Sequence, residues 1–180
     1  MSIKSIGLLD KKYFTYGKEV YGAAVAENEL FEQFIMNNNV KNIKLINTPK
    51  TFYEIGNKRF LKQQLYDTSK VEFVDKQALY YEQKKINIDI LHDTACDFLK
   101  NITFRELYTT NKPPYTYTMH CASMPSFIYD TYFLQLFANF RPYDSLICTS
   151  HSIKKVVSNY LEILSEKLYK KYNVTIKYNG

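Results

Sequence analysis

The sequence predicts an α/β protein with a mostly parallel sheet, and two observations support that prediction. Short apolar runs typical of buried strands alternate along the chain with longer segments of helical periodicity. The 180 residues are the usual length of one domain, and 46% of them are hydrophobic, which is enough for a substantial core. Strands that alternate with helices pair in parallel through right-handed crossovers. We therefore expect a single Rossmann-like three-layer sandwich over residues 1–180.

The first half of the chain contains three predicted strands and two predicted helices. Residues 6–9 form a short apolar run after a polar start, and residues 23–36 place apolar side chains on one stripe that ends at three asparagines. Residues 51–66 are interpreted as helical or irregular. The predicted elements are strands at 6–9, 40–46 and 70–74, with helices at 23–36 and 76–84.

In the second half the alternation of strand and helix is clearer. A β-branched run at 86–91 ends at His92 and Asp93, and a strand at 115–119 ends at His120. Ser150 predicts the N-cap of a long final helix. The other predicted elements are helical patches at 94–100 and 104–108, a helix at 126–140, and strands at 144–149 and 174–178. We expect the strands at 88–91, 115–119 and 144–148 to be inner neighbours in the sheet.

The net charge of +6 is concentrated in two segments. Residues 41–70 carry +5 and residues 150–180 carry +4, while the remainder is slightly acidic. A basic surface attracts anionic ligands, which include nucleic acid, an acidic membrane face and phosphorylated small molecules. No nucleic-acid motif is present, so specific nucleic-acid recognition is not expected. The alternative is a solvated lysine face, since five lysines lie on or near the polar side of the final helix: Lys154, Lys155, Lys167, Lys170 and Lys171.

Several classes of protein are excluded by what the sequence lacks. Cys96, Cys121 and Cys148 are odd in number and widely spaced, which indicates reduced thiols. The glycine-rich phosphate loop, the dinucleotide fingerprint, the nucleophile elbow and the zinc-protease motif are absent, and the histidine spacing matches no zinc signature, so we expect neither a metal nor a cofactor. There is no secretory signal and no apolar stretch of membrane-spanning length. The expected location is the cytoplasm, with peripheral membrane contact left open.

Polar or small residues follow four of the predicted strands and form the candidate site. They are Gly22 in the loop after the first strand, His92 with Asp93, His120, and Ser150. Because the carboxyl ends of parallel strands meet at one edge, where ligands bind, we expect these residues to lie together. Each also has an ordinary structural explanation. A strand-end histidine can be a structural hydrogen-bonding group, a loop glycine relieves backbone strain, and capping alone explains Ser150.

Four segments of the chain resemble the amino-terminal domain of GT-B glycosyltransferases of the retaining, family 4 kind. The resemblance covers nearly the whole chain and is thin between about residues 50 and 85. Its most specific part is the last segment, which is similar to the family pattern P-x-D-x-x-x-C-x-S-x-x-x-x-x-x-V. The segments are 22–35 (GAAVAENELFEQFI), 88–93 (IDILHD), 117–120 (YTMH) and 141–157 (RPYDSLICTSHSIKKVV).

The resemblance implies the acceptor-binding half of a glycosyltransferase that moves a sugar from a nucleotide-diphosphate sugar to a hydroxyl acceptor with retention. It implies a catalytic role for His120 beside the donor sugar. Ala23 stands where the family usually has the second glycine of a Gly-Gly pair. In the family a second, donor-binding domain follows; it is expected to be absent from this chain, which should then be inactive alone. The implied substrate-binding residues are Gly22, Ala23, His92, Asp93 and Ser150.

Two alternatives to this function stay open. One is a stand-alone Rossmann-like binding or regulatory module without catalysis, which could be the partner of a separately encoded catalytic half. The other is a basic surface that binds nucleic acid or acidic membrane. The helix predicted at 126–140 is apolar nearly all round. We expect it to be buried under the last helix, or else to form an acceptor groove or an exposed patch that favours a homodimer.

Overall fold

The protein contains a six-stranded sheet in which every described pairing is parallel. The computed structural model describes residues 3–9, 22–46, 68–93, 98–119 and 139–176. The strand order is β3-β2-β1-β4-β5-β6, so the predicted Rossmann-like α/β fold is confirmed. The strands are β1 (Ser5–Leu9), β2 (Asn42–Ile46), β3 (Val71–Val74), β4 (Ile90–Asp93), β5 (Tyr115–Met119) and β6 (Ser145–Cys148).

Four α-helices accompany these strands in the described part of the chain. Asp75 is the N-cap of the short second helix, where its side chain accepts a hydrogen bond from the Gln77 amide. The last helix ends at Asn173, which adopts the left-handed conformation that commonly terminates helices. The helices are α1 (Gly22–Met36), α2 (Lys76–Tyr81), α3 (Phe98–Tyr108) and α4 (His151–Tyr172), and a 3₁₀ turn (Thr68–Lys70) precedes β3.

The two faces of the sheet pack against different helices. Because side chains alternate along a strand, Leu8 and Leu9 point to opposite faces. Leu8 belongs to a cluster with Phe31 and Ile35 of α1. Leu9 belongs to a larger cluster on the other face that includes residues of the remaining helices, namely Leu79, Ile102, Phe104, Val157 and Leu164. The sheet therefore lies between two helical layers.

A buried ion pair ties α3 to the amino ends of β5 and β6. The side chains of Arg105 and Asp144 are completely buried, and the guanidinium Nη1 lies 2.5 Å from the Asp144 Oδ1. A second guanidinium nitrogen donates to the Asn139 carbonyl at 2.7 Å. Asp144 also accepts hydrogen bonds from the backbone amides of Tyr115 (2.7 Å) and Arg141 (2.8 Å). Residues from three elements thus share one pair of buried charges.

Lys112 closes the carboxyl end of α3. This residue has φ 46°, a left-handed conformation that is unusual for a residue with a Cβ. Its ammonium donates to the Thr109 carbonyl at 3.0 Å and also to the carbonyl of Glu106. Burial lowers the pKa of the Lys112 ammonium. These carbonyls would otherwise lack partners, so their hydrogen bonds offset the unfavourable backbone conformation.

Strand β4 begins later than the sequence predicts. The apolar run at 86–91 suggested a strand throughout, but Ile86 forms only an isolated bridge with Thr109, and regular pairing starts at Ile90. The reason lies at Asp89, whose carboxylate accepts the backbone amides of Lys4 (2.7 Å) and Ser5 (2.9 Å). This contact fixes where β4 meets β1. The prediction that His92 and Asp93 follow the strand is therefore wrong, because they are its last two residues.

Other element boundaries also differ from the prediction. Helical patches were expected at 94–100 and 104–108; residues 94–97 lie outside the described residues, and the single helix α3 spans the rest. The strand expected to be inner at 144–148 is β6, which ends the described strand order. Residues 174–176 are irregular, contrary to the tail strand predicted at 174–178, whose last two residues lie outside the described ones. Of the helix predicted at 126–140, residues 139 and 140 are not helical and the rest lies outside the described residues, as does the segment 51–66.

Among the residues that the structure describes, none of the helices combines the length and apolar content that crossing a bilayer requires.

Gly7 in β1 leaves space for the core beneath it. A Cβ at this position would lie 2.8 Å from Ile88 Cδ1 and 3.1 Å from Leu91 Cδ1. We expect Gly7→Val to lower the free energy of unfolding by about 1–3 kcal/mol, because overpacking forces these side chains to move. Urea denaturation would measure the loss. Gly7→Ala should lose less, and a Val variant as stable as the original chain would contradict this account.

The Arg105–Asp144 pair should be a strong determinant of stability. Asp144→Asn removes the completely buried counter-charge of Arg105 and leaves only the partly exposed Glu106 carboxylate, 3.1 Å from the Arg105 Nε, to pair with it. We expect the free energy of unfolding to fall by about 3–5 kcal/mol. The matched control is Glu166→Gln, which removes the carboxylate of the exposed ion pair with Lys170 and should have no measurable effect. Equal losses in the two variants, measured by urea denaturation, would show that burial of the Asp144 pair is unimportant.

Candidate functional site

The candidate site lies where the strand order reverses, between β1 and β4. The chain continues from β1 to β2 on one side, whereas β4, later in sequence, pairs with β1 on the other side. In open parallel sheets, ligands bind in the crevice that such a reversal opens at the carboxyl ends of the strands. Leu8 of β1 is in register with His92 of β4, so His92 and Asp93 lie at this point.

His92 points to the face of the sheet that α1 covers. Its side chain is 5% exposed. The Nδ1 atom lies 2.8 Å from the Thr116 Oγ1 of β5, and the imidazole makes an edge contact with the Phe34 ring, with centroids 6.1 Å apart. The hydrogen bond with Thr116 fixes the orientation of the imidazole between two neighbouring strands.

Asp93 points to the opposite face and belongs to a buried polar cluster. Its side chain is 2% exposed. The Oδ2 atom accepts a hydrogen bond from the Tyr115 hydroxyl at 3.1 Å and another from the Asn101 Nδ2 in the first turn of α3. Asn101 Oδ1 is buried with no hydrogen-bond partner. The cluster connects the end of β4 to the start of α3 and to β5.

The hydroxyl of Tyr115 remains protonated in this environment. Burial raises the pKa of Tyr115 well above its ordinary value, and the nearby Asp93 carboxylate raises it further. A protonated hydroxyl donates to the carboxylate, so Tyr115 stabilises Asp93 at the sheet edge. Neither Tyr115 nor Asn101 was identified from the sequence, although the spacing of Tyr115 and Tyr117 places both on one face of β5.

The remaining predicted site residues occupy different structural positions. Gly22 and Ala23 are the first two residues of α1, the helix that follows β1. Ser150 is the N-cap of α4, where its Oγ accepts a hydrogen bond from the Ile153 amide at 3.2 Å, so the capping interpretation is confirmed. His120 follows Met119, the last residue of β5, but lies outside the described residues.

The structure and the sequence prediction agree on the location of His92 and Asp93 but not on their surroundings. Both lie near the carboxyl edge of the sheet, as predicted. They were expected directly after the strand, whereas they are buried within it and point to opposite faces. In the described ranges, no group of three His, Cys, Asp or Glu side chains could hold a metal ion.

Comparison with known proteins adds no relative. The chain matches no protein-family model, no curated protein and no solved structure.

Tyr115 should make the stability of the protein sensitive to alkaline pH. Because the pKa of Tyr115 is raised in the folded state, its contribution is complete below the pKa of an unfolded tyrosine, about 10, and is lost as the pH rises above that value. We expect Tyr115→Phe to cost about 1–2 kcal/mol at neutral pH, since it removes the hydrogen bond to Asp93. The difference from the original chain should shrink above about pH 10.

Chemical denaturation at a series of pH values would measure this dependence. Tyr169→Phe is the matched control, since Tyr169 is 57% exposed and loss of its hydroxyl should change neither stability nor pH dependence. A constant difference between Tyr115→Phe and the original chain across the alkaline range would contradict the assignment.

Proposed function

We propose that this chain is the acceptor-binding domain of a retaining GT-B glycosyltransferase. In this function a sugar moves from a nucleotide-diphosphate sugar to a hydroxyl acceptor, and a second Rossmann-like domain binds the donor. A cleft between two such domains excludes water from the activated sugar, which favours transfer over hydrolysis.

The observation that carries the proposal is the common edge at which the relevant strands end. The carboxyl ends of β1, β4, β5 and β6 lie along one edge of the parallel sheet. Of the segments that resemble the glycosyltransferases, 88–93 ends with β4, 117–120 ends one residue after β5, and 141–157 contains β6, whereas 22–35 begins at the first residue of α1. A parallel sheet binds ligands at that edge, so the chemistry implied by the resemblance and the geometry of the sheet point to the same location.

The buried polar cluster favours a structural role for Asp93 over a direct role in the reaction. The Asp93 carboxylate accepts hydrogen bonds from Tyr115 and Asn101. We therefore propose that it holds the carboxyl end of β4 in place and does not take part in the reaction. His92 is held by Thr116 in a comparable way. Among the predicted residues, His120 is the proposed catalytic group, since an imidazole can hydrogen-bond a sugar hydroxyl or stabilise charge on the leaving diphosphate.

Replacement of His120 tests the proposed function. With the protein expressed from its full reading frame, we expect His120→Ala to lower the rate of sugar transfer by about 10²–10⁴-fold, the range for loss of a proton-transfer group. Release of nucleoside diphosphate from a panel of sugar nucleotides would measure the rate, and nuclear magnetic resonance of the product would give its anomeric configuration.

His151 provides the matched control for this experiment. It is an exposed histidine at the first position of α4, and His151→Ala should leave transfer unchanged. Transfer that survives His120→Ala, or a product with inverted configuration, would overturn the proposal. Absence of transfer with every donor would favour the binding or regulatory module instead.

A further inference from the structure

A groove of about 460 Å³ opens between the carboxyl ends of α2 and α3. Helix α3 starts after the carboxyl end of β4 and ends before the amino end of β5, so its last residues lie at the amino edge of the sheet. The groove is therefore on the edge opposite the candidate site. Its lining includes Tyr80, Tyr81, Lys84, Lys85, Leu107 and Tyr108.

Large apolar side chains at this groove are unusually exposed. Tyr80 is 64% exposed, Tyr81 is 79% exposed and Leu107 is 54% exposed. The two tyrosine rings contact each other in a T-shaped arrangement with centroids 5.3 Å apart. They project where the chain leaves α2 through a tight turn, in which Gln83 has φ 52° and the Lys84 amide donates to the Leu79 carbonyl at 3.1 Å. The turn presents both rings to solvent.

The charged side chains that line the groove are all positive. Lys84 and Lys85 line it, and none of its lining residues is acidic. Glu82, outside the lining, pairs with Lys84 at 2.6 Å, but both side chains are more than half exposed and such a pair is weak. Beyond the groove, Lys112 donates to the carbonyls of α3, and Glu106 pairs with Arg141. The groove therefore suits an anionic surface.

We propose that this groove is a docking surface for a lipid bilayer that contains anionic headgroups. Tyrosine rings are favoured at the boundary between water and lipid, because the ring is apolar and the hydroxyl remains hydrated. Lysine ammonium groups beside them pair with lipid phosphates while their methylene stems cover apolar surface. The groove combines exposed apolar surface with positive charge. Its apolar surface comes from the tyrosine pair and Leu107, and its charge from Lys84 and Lys85. The proposal does not depend on the proposed function.

Vesicle sedimentation with the full chain tests the proposal. We expect binding to vesicles of phosphatidylcholine with phosphatidylserine, and much weaker binding to phosphatidylcholine alone. Lys84→Gln with Lys85→Gln should weaken binding to the anionic vesicles by about 30-fold, since each lysine near such a surface contributes about fivefold. Tyr80→Ser with Tyr81→Ser should also weaken binding, at unchanged net charge.

The control variant carries the same loss of charge on another exposed part of the chain. Lys154→Gln with Lys155→Gln removes two exposed lysines from the beginning of α4, which follows the carboxyl end of β6 and therefore lies at the edge opposite the groove. This variant should retain most of the binding. Thermal melting of each variant shows whether it is folded. Equal losses in the two lysine variants, no effect of the tyrosine changes, or no binding to anionic vesicles would overturn the proposal.

Discussion

The buried pair of Arg105 and Asp144 constrains how the second half of the sheet is assembled. A guanidinium removed from water must be fully paired, because desolvation of an ion costs several kcal/mol. Arg105 finds its partners in Asp144 and in the Asn139 carbonyl, and Asp144 also binds the amides of Tyr115 and Arg141. Arg105 also pairs locally, through its Nε, with the neighbouring Glu106 at 3.1 Å, but Asp144 and Asn139 are more than 30 residues away in sequence. The charges are satisfied only when α3, β5 and the turn before β6 are in their native arrangement.

The two edges of the sheet use polar residues differently. At the amino edge, Asp89 binds the start of β1 and Asp144 binds the start of β5, so carboxylates replace missing strand hydrogen bonds. At the carboxyl edge, Asp93 is bound by side chains, those of Tyr115 and Asn101, and His92 is bound by Thr116. The amino edge is therefore fixed through the backbone. The carboxyl edge is a network of side chains, which can be changed without breaking strand pairing.

The parts of the fold that local sequence could predict are those that local forces determine. β5 is predicted without error and α4 from its cap, because alternation and capping involve residues close in sequence. The start of β4 was predicted too early because it depends on Asp89 binding Lys4 and Ser5, about 85 residues away. The location of His92 and Asp93 at the sheet edge followed from topology. Their burial could not be predicted, since it depends on residues of α1, α3 and β5.

Three residues in the segments that resemble glycosyltransferases have structural roles in this fold, namely Asp89, Asp144 and Ser150. Asp89 and Asp144 belong to two segments of that resemblance, yet both carboxylates bind backbone amides at the amino edge. Ser150 caps a helix. All three residues have roles in the fold that do not depend on any particular reaction. The resemblance at these positions therefore supports the fold, and the proposed chemistry depends on His120, which lies outside the described residues.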